Sequence, residues 1–142
     1  MRFYLQEEMR NSKLQVLLID DALATGSKLK CIIKEVGCAD FIGQAQRGLA
    51  GVEMIQKFMP GLVIIDLYIP GTNGFDLLRW IKETYSKIKV VIISDSLKPE
   101  FKQIAESLGA DYFLDKQTEL IKIAEIIQAI DLSYYNELVE KN

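Results

Sequence analysis

The chain has 142 residues, enough for one compact domain whose core buries roughly two-thirds of the unfolded surface. Hydrophobic residues make up 49% and charged residues 26%, ordinary globular usage that excludes a disordered chain. A net charge of −3, from 17 basic and 20 acidic residues, argues against a nucleic-acid-binding surface, and the absence of histidine excludes a histidine metal site or a phosphohistidine of its own.

Residues 1–12 are mixed and charged, lack the apolar centre of a signal peptide, and read as an N-terminal extension before a domain spanning 13–130. Val16–Ile19 is the first of four short apolar runs, followed by Leu62–Ile65, Val90–Ile93 and the weaker Tyr112–Leu114. Runs without polar alternation suit strands buried on both faces of a parallel sheet. A fifth strand over Asp40–Gln44 is expected despite its poor pattern. Between the strands the period changes to that of a helix. Leu29, Ile32, Ile33 and Val36 form one stripe, closed by Gly37. Met54, Ile55, Phe58 and Met59 form a second, ending before Pro60. A third helix starts near Asn73 and carries Phe75, Leu78, Ile81 and Tyr85. Phe101, Ile104, Ala105 and Leu108 form a fourth stripe, closed by Gly109, and Leu120, Ile123, Ala124, Ile127 and Ile130 a fifth. In the tail, residues 131–142, Leu132, Tyr135, Leu138 and Val139 continue that stripe and suggest that the last helix is extended.

This alternation specifies an α/β fold, a doubly wound five-stranded parallel sheet with helices on both faces. No apolar run is long enough to span a membrane, so a cytoplasmic protein is expected. Cys31 and Cys38 make neither a disulfide framework nor a zinc site and read as packing residues.

In such a sheet ligands bind beyond the C-terminal strand ends. There the first strand delivers Asp20-Asp21, the third Asp66, the fourth Ser94-Asp95 and the fifth Asp115-Lys116. Two carboxylates about 4 Å apart, at an effective dielectric near 20, repel by roughly 4 kcal/mol. A hard cation or a lysine relieves that most simply. Three carboxylates with waters suit Mg²⁺. With the hydroxyl of Ser94 and the mobile charge of Lys116, they compose a phosphoryl-transfer site in which Asp66 attacks in line.

The segments LLIDDA (17–22), VIIDLYIPGTNGFDLL (63–78), VIISDS (91–96) and GADYFLDKQ (109–117) resemble the four motif blocks of response-regulator receiver domains, in order and on the expected strands. The resemblance implies a flavodoxin-like, CheY-like (βα)5 sandwich with Asp66 as phosphoacceptor. It implies a Mg²⁺ or Mn²⁺ ion held by Asp21 directly, Asp20 through water, Asp66, and the backbone carbonyl of Tyr68. Ser94 resembles the switch hydroxyl, Lys116 its partner lysine, and Phe113 the aromatic whose rotamer follows the switch. Pro70 and Gly74 match the turn after the third strand. The donor would be a sensor histidine kinase or a histidine phosphotransfer protein. The output would be contact with a downstream protein or an effector domain outside this chain, with no direct nucleic-acid or membrane contact. A weak or phosphorylation-dependent homodimer through the fourth-helix to fifth-strand face would fit the pattern. Apart from its own phosphoryl transfer and autodephosphorylation, no enzymatic activity is implied.

Three departures stand out. Asp95 follows the switch hydroxyl where the family has a small residue; its charge could hinder an anionic phosphodonor or alter hydrolysis. Gln117 follows the lysine where proline is usual, so a cis peptide is not expected there. Tyr68 is bulky beside the pocket and could shield the phosphoryl group. Asp95 and Gln117 motivate an alternative, a pseudo-receiver that binds partners with little phosphorylation. A haloacid-dehalogenase-type phosphatase needs a second aspartate where Tyr68 stands, and a flavodoxin-type cofactor binder needs a glycine-rich loop after the first strand.

Overall fold

The computed structural model describes residues 13–96 and 98–141. The five main strands are β1 (Leu14–Ile19), β2 (Ala39–Ala45), β3 (Leu62–Asp66), β4 (Lys89–Ser94) and β5 (Tyr112–Asp115). They form one parallel sheet in the order β2-β1-β3-β4-β5. The helices between and after them are α1 (Leu23–Val36), α2 (Gly48–Phe58), α3 (Gly74–Thr84), α4 (Pro99–Ser107) and α5 (Ile123–Lys141). The expected fold class is therefore the observed one. From β1 the chain goes first to one neighbour, β2, and then to the other, β3, so the switch point of the sheet lies between β1 and β3.

Strand alternation divides the core into two layers. Val16, Leu18, Leu62, Ile64, Val91 and Ile93 face Leu29 and Ile33 of α1 and Ile123 and Ile127 of α5. Leu17, Ile19, Val63, Ile65, Val90 and Ile92 face Ile55 of α2, Leu78 and Ile81 of α3 and Ala105 of α4. Both faces of the inner strands are covered, which is why those strands are apolar throughout.

The weak pattern of β2 has a structural cause. Val16 pairs with Phe41 but Leu17 with Gly43, so Ile42 is an extra residue, a bulge that breaks the period of two. Two helix faces differ from the expected stripes. On α2 the buried face is Gly48, Gly51 and Ile55, whereas Phe58 and Met59 are exposed. Gly51 lets the helix close on Ile19, because a Cβ there would lie 2.5 Å from that side chain. On α4 only Ala105 is buried, and Ile104 is exposed. Cys31 also departs from the packing role expected of it and is exposed, while Cys38 packs beside the core; both are free thiols.

Residues 120–122 form a 3-10 turn, and α5 then runs through the tail to Lys141 without a break. Beyond Ile130, Leu132, Tyr135 and Val139 are exposed. Residues 1–12 lie outside the described residues. No helix among the described residues is long and apolar enough to cross a membrane.

Candidate functional site

The loop after β1 is held by backbone and side chain together. Asp20 donates its N–H to the Ala45 carbonyl (2.9 Å), and its Oδ1 accepts from the Ala22 N–H (2.8 Å). Gln44, near the end of β2, donates from Nε2 to the carbonyls of Asp20 (2.7 Å) and Ala22 (2.9 Å). Its side chain passes over Gly26, where a Cβ would stand 1.9 Å from Gln44 Oε1. No local pattern in the sequence announces Gln44, since its bond to Asp20 spans 24 residues.

Asp66 is the last residue of β3. The chain after it is pinned by Leu67 N–H to the Ile93 carbonyl (3.0 Å), and the Tyr68 N–H donates to Asp66 Oδ1 (3.0 Å). A two-residue hairpin pairs Tyr68 with Asn73 and Ile69 with Thr72, and its turn contains Gly71 at φ 90°. Asn73 then caps α3, accepting from the Asp76 N–H (2.9 Å). At Gly74 the helix start touches the end of β3 and the loop after it: a Cβ there would lie 2.8 Å from Leu67 Cα and 2.9 Å from the Asp66 carbonyl oxygen.

Lys116 joins these loops. Its N–H donates to the Ser94 carbonyl (3.0 Å), and its ammonium lies 2.7 Å from Asp66 Oδ2 and 2.9 Å from Asp20 Oδ2. Asp20 is fully buried and Asp66 nearly so. Burial pushes the Asp66 carboxyl above its ordinary value, and the charge of Asp20 adds to the rise; the bonds from Lys116 and Tyr68 oppose it without cancelling it. Burial works against the Lys116 charge, yet its pairing with Asp66 and Asp20 outweighs that and the ammonium titrates higher than usual. The two directions are compatible, because one cation is shared between two carboxylates and only the lysine gains from both.

Asp21 is exposed, and one carboxylate oxygen from each of Asp20, Asp21 and Asp66 lies within 4.8 Å of the others. Asp20 Oδ2 is buried with no hydrogen-bond partner of good geometry, only the ion pair with Lys116. This hard-oxygen set fits a divalent ion of the Mg²⁺ or Mn²⁺ kind.

Ser94 is fully buried, and its hydroxyl accepts from the Ser96 N–H (3.0 Å). Phe113 is half-buried on β5, packed against the α2–α4 layer. Tyr68 turns its ring outward, edge-on to Phe101 of α4 at 6.5 Å. Asp95 is exposed and accepts a 2.7 Å hydrogen bond from Gln117 Nε2. The Lys116–Gln117 peptide is trans. Beside Gln117 an apolar groove of about 510 Å³ runs between α1 and the β5–α5 connection, lined by Lys28, Cys31, Ile32, Thr118 and Ile121 among others.

The family model for the response regulator receiver domain matches residues 16–130. Transcriptional regulatory protein GlnL of Bacillus subtilis is 34% identical over 119 residues, covering 82% of this chain and 37% of that protein. Nitrate/nitrite response regulator protein NarL of Escherichia coli is 32% identical over 73% of this chain and 48% of its own length. The chain thus spans between a third and a half of these two curated relatives. Among solved structures, a CheY-like response regulator receiver domain protein from Methanospirillum hungatei superposes with a TM-score of 0.75 at 20% identity, covering 92% of this chain and 100% of that one. The non-phosphorylated receiver domain of RcsB from Escherichia coli gives 0.79 at 16% identity, covering 86% and 95%. At such identities the structures speak for the fold alone.

Proposed function

The chain belongs to the response regulator receiver domain family, and on that premise we propose that it accepts a phosphoryl group on Asp66 from a phosphohistidine of a partner protein. The observation that carries this reading is the Lys116 ammonium, 2.7 Å from Asp66 and 2.9 Å from Asp20, with Asp21 completing the acidic set. A carboxylate oxygen of Asp66 attacks phosphorus in line, an acyl phosphate forms, and the P–N bond to the donor imidazole breaks. Lys116 offsets charge on the phosphoryl oxygens. A Mg²⁺ or Mn²⁺ ion, held by Asp20, Asp21, Asp66 and the Tyr68 carbonyl, would supply further positive charge to those oxygens.

Ser94 then leaves Ser96 for the phosphoryl group, Phe113 repacks, and the surface formed by α4, β4, β5 and α5 changes for a downstream protein. The donor is a histidine kinase or a phosphotransfer protein, and the apolar groove beside Gln117 supports docking of such a partner next to the site. The chain's own chemistry is its phosphorylation and dephosphorylation, with no separate substrate turned over.

Acetyl phosphate or beryllofluoride, each with Mg²⁺, tests this directly. An adduct on the wild type that vanishes in Asp66→Asn is expected, read by intact-mass or fluorine spectra. No Asp66-dependent adduct would leave the pseudo-receiver reading in its place. Replacing Asp20 and Asp21 together by alanine should abolish Mg²⁺ binding in titration calorimetry.

A further inference from the structure

Asp95 and Gln117, two positions at which the sequence departs from the receiver pattern, are bonded to each other (2.7 Å). Asp95 directly follows the buried Ser94, and Gln117 directly follows Lys116. Their bond therefore ties the loop after β4 to the loop after β5 across the mouth of the site. The Gln117 N–H is held by Asp115 Oδ1 (2.8 Å), the Asp115 N–H by Glu119 Oε1 (3.0 Å), and the Lys116 N–H by the Ser94 carbonyl. Gln117 thus projects from a braced loop. On the other side the Ser94 hydroxyl is engaged by the Ser96 N–H, within the same short segment that carries Asp95.

We propose that Asp95 and Gln117 are positioning residues: a clasp that holds Ser94 in its resting place and so sets how readily the phosphorylated arrangement of Asp66 is reached and how long it lasts. The proposal rests on the phosphoacceptor reading. Ser94 and Asp95 share a peptide unit, so a backbone shift that carries Ser94 toward Asp66 draws Asp95 along. That motion strains or breaks the bond to Gln117. An exposed charge-assisted hydrogen bond is weak, so the clasp shifts the switching equilibrium by a few-fold and does not lock it. Charge repulsion by Asp95 alone would make a different pattern, in which Gln117 is irrelevant.

Beryllofluoride affinity with Mg²⁺ separates these. Asp95→Ala and Gln117→Ala should each bind about two- to five-fold tighter than wild type. The double variant should gain no more than either single one. Asp95→Asn, which keeps an acceptor for Gln117 but removes the charge, should lie between wild type and Asp95→Ala. An unchanged Gln117→Ala, additive singles, or an Asp95→Asn that behaves like the alanine would each overturn the clasp. Amide hydrogen exchange at Ser96 in the unliganded protein is a second readout that needs no phosphoryl chemistry. Exchange should speed up in both alanine variants, and unchanged exchange overturns the clasp. Failure of the wild type to take beryllofluoride sinks the phosphoacceptor reading instead.

Discussion

Asp66 brings more negative charge into a buried corner than Lys116 alone can offset. With its pKa raised, the folded chain holds that proton to higher pH than the unfolded chain does. Rising pH through the carboxylate range therefore costs the metal-free protein stability. Asp66→Asn removes a buried charge and, with it, the repulsion with Asp20, and should stabilise the metal-free protein at neutral pH by on the order of 1 kcal/mol, measured by urea unfolding in the presence of a chelator. Lys116 has a linkage of the same sign, at alkaline pH. Its raised pKa means that its contribution is complete below its ordinary value of 10.5 and fades as pH climbs through the still higher folded value. Lys116→Met should cost about 3 kcal/mol near neutrality, because two buried carboxylates lose their cation. The gap between variant and wild type should narrow above that alkaline range; a gap independent of pH would contradict the shared ion pair. The identities of Asp20, Asp21, Asp66, Ser94 and Lys116 were legible in the sequence, since each follows or ends an apolar strand. Gln44 was not, because it acts through carbonyls on a neighbouring strand's loop.

The turn between β3 and α3 shows how an element's ends position a side chain. Gly74 lets the helix begin against the backbone of Asp66 and Leu67, with its N–H on the Leu67 carbonyl (2.8 Å). Gly74→Ala places a methyl group in backbone that cannot yield cheaply. A loss of about 1–3 kcal/mol in chemical denaturation is expected, with weaker Mg²⁺ binding by calorimetry, since Asp66 and Tyr68 must shift. A variant as stable as wild type would show that the turn has slack. Helices with a wide apolar face, such as α1 and α3, matched their sequence stripes. On α2 the match was partial: Ile55 of its stripe is buried, but glycines, which carry no hydrophobic pattern yet permit close approach to Ile19, complete the buried face. On α4, Ala105 is buried and Phe101 and Leu108 pack partly buried against the same layer, whereas Ile104 of the stripe stays exposed.

At the scale of the whole molecule, one sheet serves two separate apolar layers. Ile33 in one and Ile81 in the other are both essentially inaccessible. Ile33→Val and Ile81→Val should each cost about 1 kcal/mol. Their effects should sum within about 0.5 kcal/mol in thermal or urea unfolding, because no side chain is shared. A large coupling would mean that the sheet transmits strain between its faces. The sequence by itself determined the alternation of strand and helix and the fold class, because hydrophobic period depends only on which faces are buried. It also determined which residues stand at the strand ends. Only the tertiary structure decided how those residues meet. The shared ion pair of Lys116, the brace from Gln44, and the bond between Asp95 and Gln117 all join loops that lie far apart along the chain. Such contacts depend on strand order and register, which no local pattern encodes. Asp95 and Gln117 are separate oddities in the sequence and become one device only when β4 and β5 lie side by side.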